Sequence, residues 1–207
     1  VKFFLTGSAS FYLKNLFTES LAGRKRLFEL YPLSFREFLV FKGARVNIPS
    51  AAESVTQTTY HTFRRLYEEY VTYGGFPAVV LQPSAQEKIE TLREIFSSYY
   101  NKEVIELGDF RKNTAMRDLM KLLMGRVGCK VVIQKLAAEL GISWATVQEY
   151  LAFLEGTYLF SFVRPFSTSR DVEIRGAPKV YAIDSGFANH IGLAPWGSVF
   201  ENAMFHQ

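Results

Sequence analysis

Hydroxyl side chains cluster at the end of the first apolar run of the sequence. Val1–Ser8 is almost continuously apolar and predicts a buried parallel β-strand. Thr6, Ser8 and Ser10 then lie at the carboxyl end of this strand, where open α/β sheets bind their ligands. Hydroxyl groups at such a place can contact a γ-phosphate or the water that attacks it. The residues by themselves favour a simpler interpretation, in which they form a polar cap between the strand and the next helix.

Arg24, in the segment LAGRKR, is a second residue with phosphate chemistry. A guanidinium group stays ionised and matches the oxygens of a phosphate, so Arg24 is a candidate arginine finger. Solvation at the surface explains the same arginine equally well. Lys25 and Arg26 are predicted to face water.

Two carboxylates near the end of the sequence are candidates for binding a divalent cation. Asp184 follows the predicted strand Lys179–Ile183, and Glu201 lies on a predicted helix. Asp184 fits equally well as the N-cap of a helix that starts near Ser185. We predict no metal site, because the sequence has one cysteine and its three histidines are scattered, at His61, His190 and His206.

The segment Cys129–Phe166 predicts a helix-turn-helix followed by a strand. Gly141 allows a tight turn, and Ser143 stands where the second helix needs its N-cap. Two helices joined by such a short turn must cross steeply. Their apolar faces consist of Leu136, Ala137 and Leu140 in the first helix and Val147, Tyr150, Leu151 and Leu154 in the second.

Two strands are expected to complete this unit as a winged helix. Thr157–Val163 is β-branched and aromatic, Val172–Ala182 can return beside it, and Ser167–Asp171 would form the wing. The helix Trp144–Glu155 has two glutamates and no cation with which to hold phosphate. Protein contact through Trp144 is therefore favoured over DNA reading, although the wing region has four cations, Arg164, Arg170, Arg175 and Lys179.

Composition limits the remaining possibilities. The 207 residues are 48% hydrophobic, which is enough for a sizeable core in one large domain or two small ones. Residues 1–45 carry a charge of +5 and the rest of the chain −1, which gives the net charge of +4, so an acidic partner should meet the N-terminal end. Its apolar runs are far shorter than the roughly 20 residues that span a bilayer, and no membrane contact is predicted. One cysteine, Cys129, favours a reducing compartment, and we predict a cytoplasmic protein.

The rest of the chain is predicted to be mainly helical. Helices are expected at Phe11–Leu21, Phe35–Phe41, Tyr60–Val71, Gln86–Leu107, Thr114–Val127 and Ser198–Gln207. Ser34 and Glu37 predict a capping box for the second of these helices. Leu27–Leu33 is interrupted by Pro32 and suits an edge strand or an extended segment, while Gly74 to Pro77 predicts a sharp break. The fold class is thus mainly α with small β elements.

Several segments together resemble the prokaryotic AAA+ ATP-binding proteins. They are LTGSAS, ESLAGRKRLFELYPLSFREFL, YVTYGGFPAVV, ISWATVQEYLAFLEGTYLF, PKVYAIDSG and the final FEN. The resemblance implies four parts, namely the end of a nucleotide-binding domain, a helical lid, a winged helix and the start of a domain similar to PD-(D/E)XK nucleases. Their expected bounds are residues 1–45, 46–112, 113–178 and 179–207.

The resemblance also implies what the chain lacks. It would begin at the sensor 1 strand, so the GxxxxGK(S/T) loop and the magnesium-binding strand would lie upstream of Val1. ATP and magnesium are then cofactors of the intact protein, and none is expected for this fragment, which should not hydrolyse ATP. Ser8 would be a sensor of the γ-phosphate, with Thr6 and Ser10 beside the nucleotide, and Arg24 would act during transfer.

Two functions follow from these features. The first is a non-catalytic fragment of an AAA+ ATPase whose winged helix couples the nucleotide state to a protein partner or another subunit. The second is a DNA-binding regulator that uses the wing and the basic N-terminal end. A strong salt dependence of DNA affinity would favour the second function.

Overall fold

The computed structural model describes residues 26, 28–44, 56–107 and 113–207, which are mainly helical with one small sheet. This confirms the predicted fold class. The helices are α1 (Phe35–Phe41), α2 (Gln57–Tyr73), α3 (Pro77–Val80), α4 (Ala85–Tyr99), α5 (Asn113–Gly125), α6 (Ile133–Leu140), α7 (Trp144–Gly156), α8 (Arg170–Arg175), α9 (Ser185–His190) and α10 (Trp196–Phe205). The strands are β1 (Phe160–Val163) and β2 (Lys179–Ala182).

Side-chain caps fix where several helices begin. The Ser34 hydroxyl accepts a hydrogen bond from the Glu37 amide, and the Glu37 carboxylate accepts one from the Ser34 amide, as the sequence predicted for α1. Ser84 and Glu87 form the same capping box at α4. Each box satisfies amide groups that have no partner within the first helical turn.

The predicted helix-turn-helix is present as α6 and α7. Gly141 ends α6 in the left-handed conformation, with φ at 62°, and the Ser143 hydroxyl accepts a hydrogen bond from the Thr146 amide at the start of α7. The apolar side chains predicted to line the two helices pack together. Those that are buried are Leu136, Val147, Tyr150, Leu151 and Leu154.

The second predicted strand is shorter than expected. β1 pairs with β2 in antiparallel register from Phe160 opposite Ala182 to Val163 opposite Lys179. Arg170–Arg175, where the sequence predicts the end of the wing and the start of the strand, forms α8 instead. Asp171 and Glu173 lie in its first turn, where carboxylates stabilise a helix. Pro178 has no amide to donate, and regular pairing begins at the next residue.

Two further elements differ from the expected ones. The helix predicted over Gln86–Leu107 is α-helical only to Tyr99 and continues as a π-helix over Tyr100–Leu107. A period of 3.6 residues does not distinguish these two windings over so few turns. Residues 28–34 form neither helix nor strand, so the edge strand is wrong for the described part of this segment.

One hydrophobic core joins the described elements. It includes Phe38 and Leu39 from α1, Val71 from α2, Leu154 from α7 and Ala203 from α10. Helix α9 lies in the middle of this assembly, packing against α2, α4, α5 and α10 as well as β2. The four domain bounds expected from the resemblance stay a prediction.

Candidate functional site

The residues predicted to contact nucleotide lie outside the described residues. These are Thr6, Ser8, Ser10 and Arg24, and their roles stay predictions. The described part nevertheless contains a polar site where a buried carboxylate, a double-glycine turn and residues 28–34 meet. It is built around Asp184.

Asp184 is a buried N-cap, as one of the two sequence interpretations expected. Its side chain accepts a hydrogen bond at 2.8 Å from the amide of Gly186, in the first turn of α9, and another at 2.7 Å from the Gly75 amide. The second bond spans 109 residues of sequence. The carboxylate therefore joins the start of α9 to the turn that follows α2.

The turn after α2 has no room for side chains. A Cβ atom on Gly74 would lie 1.7 Å from an Asp184 carboxylate oxygen, and one on Gly75 would lie 2.2 Å from the Leu33 carbonyl oxygen. A Cβ atom on Gly186 would lie 2.4 Å from the Tyr73 carbonyl oxygen. Because these three residues are glycines, the backbone can come close enough to Asp184 for its amides to donate hydrogen bonds to the carboxylate.

Leu33 is held from two sides. Its amide donates to the Gly75 carbonyl at 2.8 Å, and its carbonyl accepts from the Tyr70 hydroxyl at 2.9 Å. Tyr70 is in turn contacted by Ser185, whose hydroxyl donates to the Tyr70 carbonyl at 3.2 Å. The two partners of Leu33 are thus both hydrogen-bonded to the start of α9, Gly75 to Asp184 and Tyr70 to Ser185.

Burial changes the acidity of the groups at this site. It raises the pKa of the Asp184 carboxyl to about 6, although backbone amides oppose the shift. It also raises the pKa of the Tyr70 hydroxyl to about 12, so Tyr70 keeps its proton and donates a hydrogen bond to the Leu33 carbonyl. Burial lowers the pKa of the His206 imidazole, which favours the neutral ring.

An open cleft of about 510 Å³ borders the site. Its walls come from residues 29–34, from the start of α9 and from the end of α10. Among the described residues that line the cleft, the ionisable groups include Glu29, Glu37, Asp184 and His206, and none is a lysine or an arginine. These described walls thus carry negative charge in a chain whose net charge is positive.

The second candidate carboxylate, Glu201, has a separate role. It pairs with the Lys179 ammonium at 2.8 Å and accepts a hydrogen bond from the Tyr181 hydroxyl at 2.8 Å, and these bonds lower its pKa. Its neighbour Asn202 is fully buried and makes two hydrogen bonds with the backbone of Ala182 in β2. Within the described ranges, no group of three or more His, Cys, Asp or Glu side chains could hold a metal ion.

The surface of the helix-turn-helix has an exposed aromatic side chain. Trp144, the first residue of α7, is 47% exposed, and its role in a protein contact stays a prediction. Two of the four cations near β1 and β2 make contacts of their own, since Lys179 pairs with Glu201 and Arg164 donates to the Ile174 carbonyl. None of the helices in the described part of the chain combines the length and apolar character that a bilayer crossing requires.

Two family models match parts of the chain that contribute residues to this site. Residues 64–196 match the model of DUF8612, a family described as a domain of unknown function. The chain belongs to this family. Residues 1–39, which precede the DUF8612 match, match an AAA domain and indicate a relationship to AAA-type ATPases. Leu33 therefore lies in the AAA match, while Tyr70, Gly75 and Asp184 lie in the DUF8612 match.

Two curated relatives are similar along nearly the whole chain. An uncharacterized protein of Methanocaldococcus jannaschii is 26% identical over 98% of this chain and 46% of its own length. An uncharacterized protein of Haemophilus influenzae is 28% identical over 97% of this chain and 49% of its own length. The chain thus spans about half the length of these relatives. No solved structure matches it.

The sequence gives little sign of several polar contacts. Tyr70 lies in the helix predicted over Tyr60–Val71, and a helical period does not indicate that its hydroxyl holds Leu33. Outside the Asp184 site, the FEN motif likewise does not indicate that Asn202 bonds to β2. The double glycine was the available signal, because two adjacent glycines after a helix indicate a close backbone approach.

Proposed function

We propose that this chain is the coupling part of an AAA-type ATPase, in which a helical lid and a winged helix transmit the nucleotide state to a protein partner. The observation that carries the proposal is the position of α1. The AAA match ends within this helix, and Phe38 and Leu39 of the same helix are buried in the core shared with the DUF8612 domain. A shift of the AAA portion would thus act directly on the helical body.

The proposed nucleotide contacts belong to the AAA portion. Ser8 would sense the γ-phosphate, Thr6 and Ser10 would lie beside it, and Arg24 would stabilise charge during transfer. ATP and magnesium would bind in a protein that also has a phosphate-binding loop and an acidic magnesium ligand. Hydroxyls alone cannot replace those groups.

Calorimetric titration of this chain with magnesium and ATP tests that division of roles. We expect weak binding or none, and no hydrolysis. Micromolar affinity with turnover by the chain alone would contradict it. In a protein that carries the complete site, Ser8→Ala and Arg24→Ala should lower turnover more than nucleotide affinity, because both groups act on the transferring phosphate.

The proposed partner surface is the face of α7 around Trp144. A half-exposed tryptophan at the start of a helix without cations suits a protein contact, since aromatic anchors dominate such interfaces. Phosphate neutralisation by this helix has no support from its sequence. The partner is a lid, another subunit or a separate protein in the same cytoplasmic compartment.

Two variants separate protein contact from DNA reading. Trp144→Ala should weaken association with a protein partner by about tenfold or more, whereas Arg170→Ala, on α8, should change it little. Affinity for duplex DNA is then measured for both variants at two salt concentrations. Submicromolar binding that falls steeply with salt and depends on Arg170 would establish a DNA reader instead.

A further inference from the structure

The contacts of Leu33 form two short chains of hydrogen bonds that lead to the same place. Along the first, the Leu33 amide binds the Gly75 carbonyl, and the Gly75 amide binds the Asp184 carboxylate. Along the second, the Leu33 carbonyl binds the Tyr70 hydroxyl, and the Tyr70 carbonyl binds the Ser185 hydroxyl. Each series of hydrogen bonds passes through one intermediate residue, Gly75 in the first and Tyr70 in the second, between Leu33 and the start of α9.

We propose that residues 28–34 and the start of α9 are locked by this double chain and open and close as one cooperative unit. We call the five residues Leu33, Tyr70, Gly75, Asp184 and Ser185 the Leu33–Asp184 lock. It goes beyond the proposed function, because the lock is a conformational device of the fold and operates whether or not a nucleotide or a partner is bound.

Burial explains why the lock should open all at once. Tyr70, Asp184 and Ser185 are each at least 95% buried, and Gly75 is also buried. Breaking the bond of the Gly75 amide or of the Ser185 hydroxyl while the others persist would leave a buried donor without this partner, which costs more than losing a bond exposed to water. Intermediate openings are therefore unfavourable.

The segment outside the lock is held far less firmly. Phe28 and Leu30 are 81% and 98% exposed, and the polar contact of Glu29 with the Tyr158 hydroxyl lies at the surface. Residues 28–32 contribute little apolar burial, so their attachment depends strongly on the hydrogen bonds of Leu33. The lock thus attaches residues of the AAA match to the DUF8612 domain in addition to the buried Phe38 and Leu39 side chains of α1.

Native-state hydrogen exchange tests the lock without any substitution. The amides of Leu33 and Gly75 donate within the lock, and the Gly186 amide donates to its Asp184 carboxylate. We expect the opening free energies of these three amides to converge on one value as low concentrations of denaturant are added. Three distinct values that do not converge would overturn the proposal.

Substitutions at opposite ends of the lock give a second test. Ser185→Ala should speed exchange of the Leu33 amide about threefold to tenfold, as expected for one lost hydrogen bond. The matched control is Ser161→Ala, since Ser161 lines the same cleft without belonging to the lock, and its effect should stay below about twofold.

Reciprocity provides the last comparison, because coupling between two places must act in both directions. Tyr70→Phe removes the hydroxyl that holds Leu33, and it should speed exchange of the Gly186 amide at the far end. If Tyr70→Phe affects only Leu33, or Ser185→Ala affects only Gly186, the two segments open independently and the lock does not exist. Failure of the Trp144 experiments would leave this result unchanged.

Discussion

Gly75 and Gly141 both follow a helix, yet they are glycines for different physical reasons. At Gly141 the backbone has a φ of 62°, and nothing lies within 4 Å of a Cβ atom built there. At Gly75 the backbone needs no left-handed angle, but a Cβ atom would overlap the Leu33 carbonyl. The first glycine is required by its own conformation, and the second by its neighbours.

The difference shows which turn depends on distant parts of the chain. The α6–α7 turn is local, since Gly141, Ser143 and Thr146 lie within six residues of one another. The turn at Gly75 is fixed by Leu33, 42 residues earlier, and by Asp184, 109 residues later. Substitutions in the second turn should therefore cost more free energy.

The largest effect is expected for Gly75→Ala. The added methyl group meets backbone atoms that cannot rotate away, so we expect a loss of about 3 kcal/mol of unfolding free energy. Urea denaturation measures it. Gly197→Ala on α10, where a Cβ atom meets nothing within 4 Å, is the matched control and should be neutral or slightly stabilising. A loss below about 1 kcal/mol for Gly75→Ala would remove the distinction between the two turns.

Asp184→Asn should rank second, at about 1–3 kcal/mol, because an amide nitrogen would replace one of two oxygens that each face a backbone amide. The loss should also depend on pH. Since the folded pKa of about 6 lies above the ordinary 3.8, the native state binds the proton more tightly. Wild-type stability from this group is present below about pH 4 and is lost as the pH rises through about 6.

The difference in unfolding free energy between wild type and Asp184→Asn isolates that slope from other titrating groups. It should shrink from about pH 4 to about pH 7 and then stay constant. A difference that grows over this range would mean that the hydrogen bonds from backbone amides affect the pKa of Asp184 more than burial does. The pKa would then be lowered and not raised.

Gly141→Ala should cost about 1 kcal/mol, which is the usual penalty for an alanine in the left-handed region. Gly141→Asn should cost less, because asparagine tolerates this conformation. Thermal unfolding of the two variants side by side measures both. Equal losses for alanine and asparagine would indicate that something other than φ requires the glycine.

Glu201→Gln should have the smallest effect, at most about 0.5 kcal/mol. The Lys179 and Glu201 side chains are 45% and 44% exposed, so water screens their attraction. Added salt should reduce the loss further, as chemical denaturation at two ionic strengths would measure. A loss comparable with that of Asp184→Asn would show that exposure does not separate the two carboxylates.

Local signals explain what could be predicted from the sequence. Ser34 with Glu37 predicted the start of α1, and Gly141 with Ser143 predicted the turn between α6 and α7, because each pattern acts within one or two helical turns. The π-helix after Tyr99 was missed, since its side-chain periodicity is too close to that of an α-helix over eight residues.

The two interpretations of Asp184 show where sequence reasoning stops. A carboxylate before a predicted helix indicated an N-cap, and the bond to the Gly186 amide confirms it. That the same carboxylate also binds Gly75 depends on how α2 and α9 pack, because no pattern in the sequence relates two residues 109 positions apart. The helices and their caps were determined by neighbouring residues. The buried polar contacts that join Leu33, Gly75 and Asp184 were decided by tertiary packing, which brings backbone groups together where water cannot satisfy them.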